Sequence, residues 1–262
     1  MGFPDAPRVI YNKTPSEEVI AQVRFPAILR IESESPAIFQ ERIRADFPFY
    51  QNRPALKLPD GLPAEFASMV IPLSGQTAHN FTSQDDKWTV SLTREFLALT
   101  CHPYDRWETF QSRLSGLLVA LQEVYAPAFF TRIGLRYRDV IRRSALGFDK
   151  NVSWADLLQS WVAGAFADPR IAGDIEHSAR ELHIRLPEER SHVRVHHGTA
   201  MDAINKEILY IFDSDFFHDQ QMEPTHALGC LDSLNRQARL FFRWCIKERL
   251  HKAMEPQLVP GS

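Results

Sequence analysis

The sequence predicts an α+β fold in which a β-α-β(4)-α unit occurs twice and antiparallel sheets are covered by helices. Segments in which polar and apolar residues alternate, a pattern typical of strands, are numerous in both halves of the chain. Apolar residues at helical spacing follow these segments, and the order of elements starts again near residue 129. We therefore divide the chain into a first α+β repeat, residues 1–128, and a second, residues 129–262, which ends in a long helix.

The first half reads as strand, helix, four strands and helix. A strand is predicted from Val19 toward Ile31, and a short amphipathic helix begins at Pro36 and stops before Pro48. A longer helix with an Asp105–Glu108 capping box ends before Pro127. Polar breaks of hairpin length separate the strands between these helices. These four strands are expected at about residues 66–72, 77–84, 87–93 and 95–101.

The second half opens with a strand rich in arginine. From Thr131 to Arg143 the apolar residues alternate with arginines, so one face suits a core and the other must meet water or an anion. A helix capped by Ser153 follows, and a final helix of about 28 residues is expected from Thr225 onward. Three further strands are predicted between these helices, at residues 178–186, 191–197 and 206–213.

A hairpin in the second half supplies the best candidate binding residues. If residues 188–191 form its loop, Leu186 lies opposite Val193 and the apolar side chains share one face. The opposite face of this hairpin carries arginines and histidines. If both halves belong to one sheet, these cations lie beside two arginines of the strand at 131–143, and together they form a basic surface that could bind phosphate or carboxylate. The alternative is a solvated face neutralised by nearby glutamates. The predicted ligand-binding residues are Arg136, Arg138, His183, Arg185, His192, Arg194 and His196.

Metal and catalytic sites compete with this interpretation. His183, His192 and His196 are candidate zinc ligands, yet the sequence offers no supporting cysteine or second closely spaced histidine pair. Asp213 and Asp215 are candidate ligands for Mg²⁺ in phosphoryl or glycosyl transfer, although acidic residues after a strand are commonly turn formers. No P-loop, GxSxG, GxGxxG or HExxH motif occurs. We therefore predict no metal and no cofactor, and we do not expect an enzyme.

The amino-acid composition limits the classes of protein to which this chain can belong. With 262 residues, 44% of them hydrophobic, the chain can bury a large core, and a net charge of −3 provides no general attraction for nucleic acid. Three cysteines without CxxC spacing are expected to be reduced thiols. A basic segment followed by an apolar one is missing from the start of the sequence, and no apolar run reaches the roughly 20 residues of a membrane span. These features predict a cytoplasmic protein that does not bind membranes.

Two resemblances refine these expectations. The doubled unit resembles the saddle of TATA-box-binding proteins and, more loosely, helix-grip folds, which implies a fold and no particular function. The motifs VRFP, FQERIRADFP and RIGLRYRD resemble those of a sporadically distributed bacterial protein family of about this length. The likeness covers mainly the first 142 residues, and it implies bacterial origin and an accessory or mobile gene system without implying a reaction.

Taken together, the sequence predicts a non-catalytic accessory protein that binds a partner protein, encoded nearby, or an anionic ligand through its Arg/His face. Two alternatives stay open: an enzyme acting on a phosphorylated or nucleotide substrate with an Asp-bound metal, and a saddle that binds nucleic acid.

Overall fold

The computed structural model describes residues 2–54, 77–202 and 204–259. Nine of its strands form one antiparallel sheet in the order β3-β4-β5-β6-β2-β7-β10-β9-β8. A separate pair, β1 and β11, forms a second small sheet. The strands are β1 Val9–Tyr11, β2 Ser16–Arg24, β3 Phe49–Pro54, β4 Thr77–Thr82, β5 Trp88–Thr93, β6 Phe96–Cys101, β7 Arg132–Ile141, β8 Ala179–Arg185, β9 Ser191–Met201, β10 Ile208–His218 and β11 Pro256–Leu258.

Helices cover one face of the large sheet. The α-helices are α1 Arg30–Ser33, α2 Ala37–Ile43, α3 Trp107–Tyr125, α4 Trp154–Leu157, α5 Ser160–Ala163, α6 Ala227–Cys245 and α7 Glu248–Ala253. The two long helices lie over its middle, where α3 contacts β6 and α6 contacts β7 and β10. The predicted α+β class with an antiparallel sheet and covering helices is therefore confirmed.

Alternation along the central strands determines which side chains enter the core. In β7, Ile133 and Leu135 are fully buried, whereas Arg132 and Arg136 on the other side of the strand are only partly buried. Because successive side chains of a strand point to opposite faces, the apolar set meets the helices and the arginines face away from them. The strand pattern predicted for this stretch is confirmed.

Two predicted helices are interrupted, and one non-local contact accounts for both interruptions. Leu158 forms an isolated antiparallel bridge with Ile246, and both residues have extended backbones. The backbone N–H of Gln159 donates to the carbonyl of Cys245 at 2.9 Å. The helix predicted after Ser153 is thus split into α4 and α5, and the predicted 28-residue helix is split into α6 and α7.

Several predicted boundaries also move. The first strand ends at Arg24, because Pro26 follows it and residues 30–33 form a helical turn. In the β8–β9 hairpin Ile184 lies opposite Val193, which differs by two residues from the predicted register. The last predicted strand continues to His218. The strand predicted at 66–72 lies outside the described residues.

The strand order is similar on either side of the central β2–β7 pair. Outward from this pair, the first half of the chain contributes β2-β6-β5-β4-β3 and the second half contributes β7-β10-β9-β8. Within the large sheet, the last strand of each half therefore pairs with the first: β6 with β2, and β10 with β7. The sheet is continuous across the pair, so β2 and β7 join the two halves by backbone hydrogen bonds.

Candidate functional site

The predicted binding residues share the face of the sheet that points away from α3 and α6. Directly opposite residues in paired strands point to the same face, and the register places Arg136 opposite Asp215, Asp215 opposite Arg194, and Arg194 opposite His183. We call this surface the open face. Its charged and histidine residues on β7 to β10 include Arg132, Arg136, Arg138, Asp213, Asp215, Glu181, His183, Arg185, His192, Arg194 and His196.

At the centre of the open face the arginines are paired with carboxylates. Arg136 donates two hydrogen bonds to Asp213, from Nε to Oδ1 at 2.6 Å and from Nη2 to Oδ2 at 2.5 Å. Arg132 Nη2 donates to both carboxylate oxygens of Asp215, at 3.0 and 2.7 Å. Arg138 lies 3.7 Å from Glu17. The centre is therefore charge-balanced, whereas the preferred interpretation of the sequence was a basic surface.

Local sequence explains how Arg132 reaches its partner. Gly134 is two residues along on the same face, and a Cβ built there would lie 2.4 Å from the Arg132 Nη1 atom. The guanidinium thus lies across the glycine and sits 4.7 Å from the ring centroid of Phe217. Gly134 provides the space that lets Arg132 contact both Phe217 and Asp215.

The central pair is largely buried. The Asp213 side chain is 1% exposed and the Arg136 side chain is 18% exposed. Burial acts to lower the pKa of Arg136, but the hydrogen bond and charge of Asp213 act in the opposite direction and raise it above its usual value. Arg136 therefore stays charged, and its paired geometry makes it a rigid part of the surface.

The outer end of the open face, on β8 and β9, differs from the centre because it has an excess of cations. Arg185 and Arg194 are exposed, and neither forms an ion pair with a carboxylate among the described residues. Glu181 Oε1 is shared by His183 and His196, at 2.7 and 3.3 Å from their Nε2 atoms. Burial lowers the pKa of His196, and Glu181 opposes that shift.

The carboxylates proposed for a metal are already engaged. Asp213 and Asp215 lie inside β10 rather than at its end, and both accept hydrogen bonds from arginines. Within residues 2–54, 77–202 and 204–259, no group of three or more His, Cys, Asp or Glu side chains is arranged to hold a metal ion. In the structure these two carboxylates hold the side chains of Arg132 and Arg136 in place.

Sequence reasoning missed the role of these counter-charges. Asp213 and Asp215 are two residues apart, the spacing of neighbours on one strand face. Extending the predicted strand through Phe216 and Phe217 places both side chains on one face of that strand, although it does not identify β7 as the neighbouring strand. The sequence signal was present in the alternation of IFDSDFFH.

Comparison with known proteins adds no family assignment. No protein-family model matches this chain, and no curated protein matches it either. Among the described residues, no helix is long and apolar enough to cross a membrane.

Proposed function

We propose that this protein is a non-catalytic binding module that recognises acidic groups of a partner protein through the outer end of its open face. One observation carries the proposal: the seven predicted binding residues share a face that the long helices leave uncovered, and the cations Arg185 and Arg194 at its outer end have no described carboxylate partner. A guanidinium without a counter-charge is a ready site for a carboxylate or phosphate group.

The geometry of the β8–β9 pair suits such a contact. Arg185 lies opposite His192, and Arg194 lies opposite His183. Directly opposite side chains in a sheet begin about 4.5–5.5 Å apart, so two donors can approach one anionic group from neighbouring strands. The arginines at the centre of the sheet are already paired with carboxylates, so they do not compete with Arg185 and Arg194 for the same anion.

The similar strand orders of the two halves support the further proposal that the chain contains a duplicated unit, with β2 equivalent to β7. Under this proposal the open face corresponds to the helix-free face of a saddle-like sheet. The proposed membership of a sporadically distributed bacterial family, with a partner encoded by a neighbouring gene, is consistent with a role in an accessory gene system.

The test is co-purification with the products of neighbouring genes. Tagged wild-type protein and the variant Arg185→Glu/Arg194→Glu are each expressed with those genes, and the recovered proteins are quantified by mass spectrometry at several salt concentrations. We expect the wild-type protein to recover a partner whose binding weakens as salt increases, and the variant to lose it.

The matched control is Arg42→Glu/Arg44→Glu, which changes the net charge equally at exposed positions at the end of α2. This control is expected to retain the partner. Equal recovery with the Arg185→Glu/Arg194→Glu variant, or no partner with the wild-type protein, would contradict the proposal. Recovery of nucleic acid in place of protein would favour the saddle alternative.

A further inference from the structure

A cavity of about 120 Å³ lies on the other side of the sheet, between β7, β10, the long helix α6 and the N-terminal residues 6–11. Its wall combines aromatic side chains, among them Tyr104, Tyr137, Phe216 and Phe242, with several polar and charged residues. Exposed Arg106 is also part of the lining, so the cavity reaches the surface of the protein. An apolar pocket with a few polar groups is the usual form of a small-molecule site.

Contacts to distant parts of the chain hold the N-terminal wall in place. Strand β1 pairs with β11, and the hydroxyl of Tyr11 lies 2.8 Å from Nδ1 of His251 in α7. Arg8 forms an ion pair with Glu108 at the start of α3. The cavity is therefore bounded on one side by a fixed segment, and Arg8, the charged residue of that segment, already has a partner.

Arg239 of α6 is the residue of the cavity that is best suited to bind an anionic ligand. It lines the cavity and is only partly exposed, and its Nε has no hydrogen-bond partner among the described residues. No described carboxylate lies within ion-pair distance of it. The charges that act on it are the cations Arg8 and Arg236 and the carboxylate Glu108, which is itself paired with Arg8. Burial, followed by the charge of Arg8, lowers the pKa of Arg239. A partly buried guanidinium without a counter-charge is unfavourable, and an anion would relieve it.

Ser214 of β10 is a second unsatisfied group in the same cavity. Its side chain is 2% exposed, and its Oγ has no hydrogen-bond partner among the described residues. It lies opposite Tyr137 in the sheet, whose hydroxyl donates to Oδ1 of Asn235 at 2.9 Å. The neighbouring polar groups are thus satisfied by each other, and Ser214 is left to hydrogen-bond an occupant.

The cavity is lined by a buried carboxyl group as well as by cations. Asp139, which is 5% exposed, accepts a 2.5 Å hydrogen bond from Ser16 Oγ, and no cation is among the groups that shift its pKa. Tyr137 lies within electrostatic range of both Asp139 and Arg239. An anion is therefore repelled by Asp139 whenever that carboxyl is ionised and is attracted toward Arg239.

We propose that this cavity binds a small aromatic carboxylate, whose carboxylate contacts Arg239 and whose ring packs against the aromatic wall. A cavity of about 150 Å³ accommodates benzene, so one of about 120 Å³ limits the occupant to a single small ring, and its opening to the surface leaves room for the carboxylate beside partly exposed Arg239. A carboxylate matches the planar guanidinium through two parallel hydrogen bonds. The aromatic wall favours an anion with an apolar body over a free phosphate ion, which would leave those rings uncovered.

The test uses benzoate as the probe, with the full-length protein followed by ¹H–¹⁵N NMR. We expect saturable binding with a Kd of about 1 mM or below, with shifts in β7, β10 and α6. Inorganic phosphate and the uncharged benzyl alcohol, tested at the same concentrations, should bind at least about tenfold more weakly. Equal binding of phosphate would assign the site to a free inorganic anion and overturn the proposed ligand class.

Two variants test the residues. Arg239→Gln should weaken benzoate binding at least about tenfold, whereas Arg236→Gln, an exposed arginine of the same helix that does not line the cavity, should leave it unchanged. If Arg239→Gln does not fold, Ala238→Leu fills the cavity from the same helix and should abolish binding. No benzoate binding to the wild-type protein, equal binding to Arg239→Gln or to Ala238→Leu, or shifts confined to β8 and β9 would overturn the proposal and leave the open-face proposal standing.

Discussion

Replacing Asp139 by Asn is expected to stabilise the protein above neutral pH and to have little effect in acid. Burial, opposed by the Ser16 hydrogen bond and assisted by the charge of Asp213, raises the pKa of Asp139 from 3.8 to about 7. The folded protein therefore keeps a proton that the unfolded chain releases above about pH 4. The free energy of unfolding consequently falls as the pH rises from about 4 to about 7.

The size of the effect follows from this shift. A difference of about three pKa units corresponds to about 4 kcal/mol, since each unit is worth 1.36 kcal/mol. Structural relaxation around an ionised Asp139 reduces this, so we expect Asp139→Asn to increase the free energy of unfolding at pH 8 by about 2–4 kcal/mol. At pH 4 the carboxyl is neutral in the folded protein, and an amide oxygen can still accept the hydrogen bond from Ser16. The two proteins should then have similar stability.

The assay is urea unfolding of both proteins at pH 4, 6 and 8, compared as a difference at each pH. The difference is needed because His197 acts in the opposite direction. Burial, then the charges of Arg180 and His196, lowers the pKa of His197 from 6.5 to about 4, so its contribution is present above pH 6.5 and is lost as the pH falls toward 4. A difference between wild type and variant that does not change with pH would refute the reasoning. The control Asp46→Asn, at an exposed carboxylate, should show no such change.

Three further predictions concern stability measured by the same unfolding assay. Asp213→Ala should cost about 3–5 kcal/mol, because it leaves Arg136 largely buried without its carboxylate; a loss below 1 kcal/mol would contradict the role of this pair. Gly198→Ala should cost about 1–3 kcal/mol, since its Cβ would lie 1.9 Å from the carbonyl oxygen of Ser178 and the backbone must move; unchanged stability would show that the strands separate freely. Gly116→Ala in α3 should increase stability by about 0.5–1 kcal/mol, because the added methyl group meets no atom within 4 Å and alanine favours the helix; a decrease would contradict this.

The strands with clear alternation were the most predictable part of the fold, whereas β1, β3 and β11 were not predicted. A period of two depends only on neighbouring residues, so β7 and β9 could be recognised from their own sequences. The helix breaks at Leu158 and Ile246 could not, because they arise where two segments 88 positions apart pair with each other. The apolar spacing continues through both positions and gives no local sign of that contact.

The sequence predicted which residues lie on the open face, but it did not predict that carboxylates neutralise the arginines at its centre. The β8–β9 register differs from the prediction by two residues, and a shift of two leaves every side chain on its original face. For this reason Arg185 and Arg194 lie where the alternation placed them. The pairing of Arg136 with Asp213 depends on which strand neighbours β7, and the sequence pattern does not contain that information.

Strand β7 connects the open face and the cavity, since Arg136 and Arg138 point to one side and Tyr137 and Asp139 to the other. The negative charge of Asp213 is one of the causes that raise the pKa of Asp139 across the sheet. Asp213→Asn should therefore lower the pKa of Asp139 below about 7, while burial keeps it above 3.8. Carbon-detected NMR titration of the Asp139 carboxyl measures this directly, with Asp215→Asn as the control because Asp215 is not among the groups that shift Asp139. If the pKa of Asp139 is the same in Asp213→Asn as in the wild-type protein, charges on one face of the sheet do not affect groups on the other. An anion bound on the open face would then leave the charge of Asp139 unchanged.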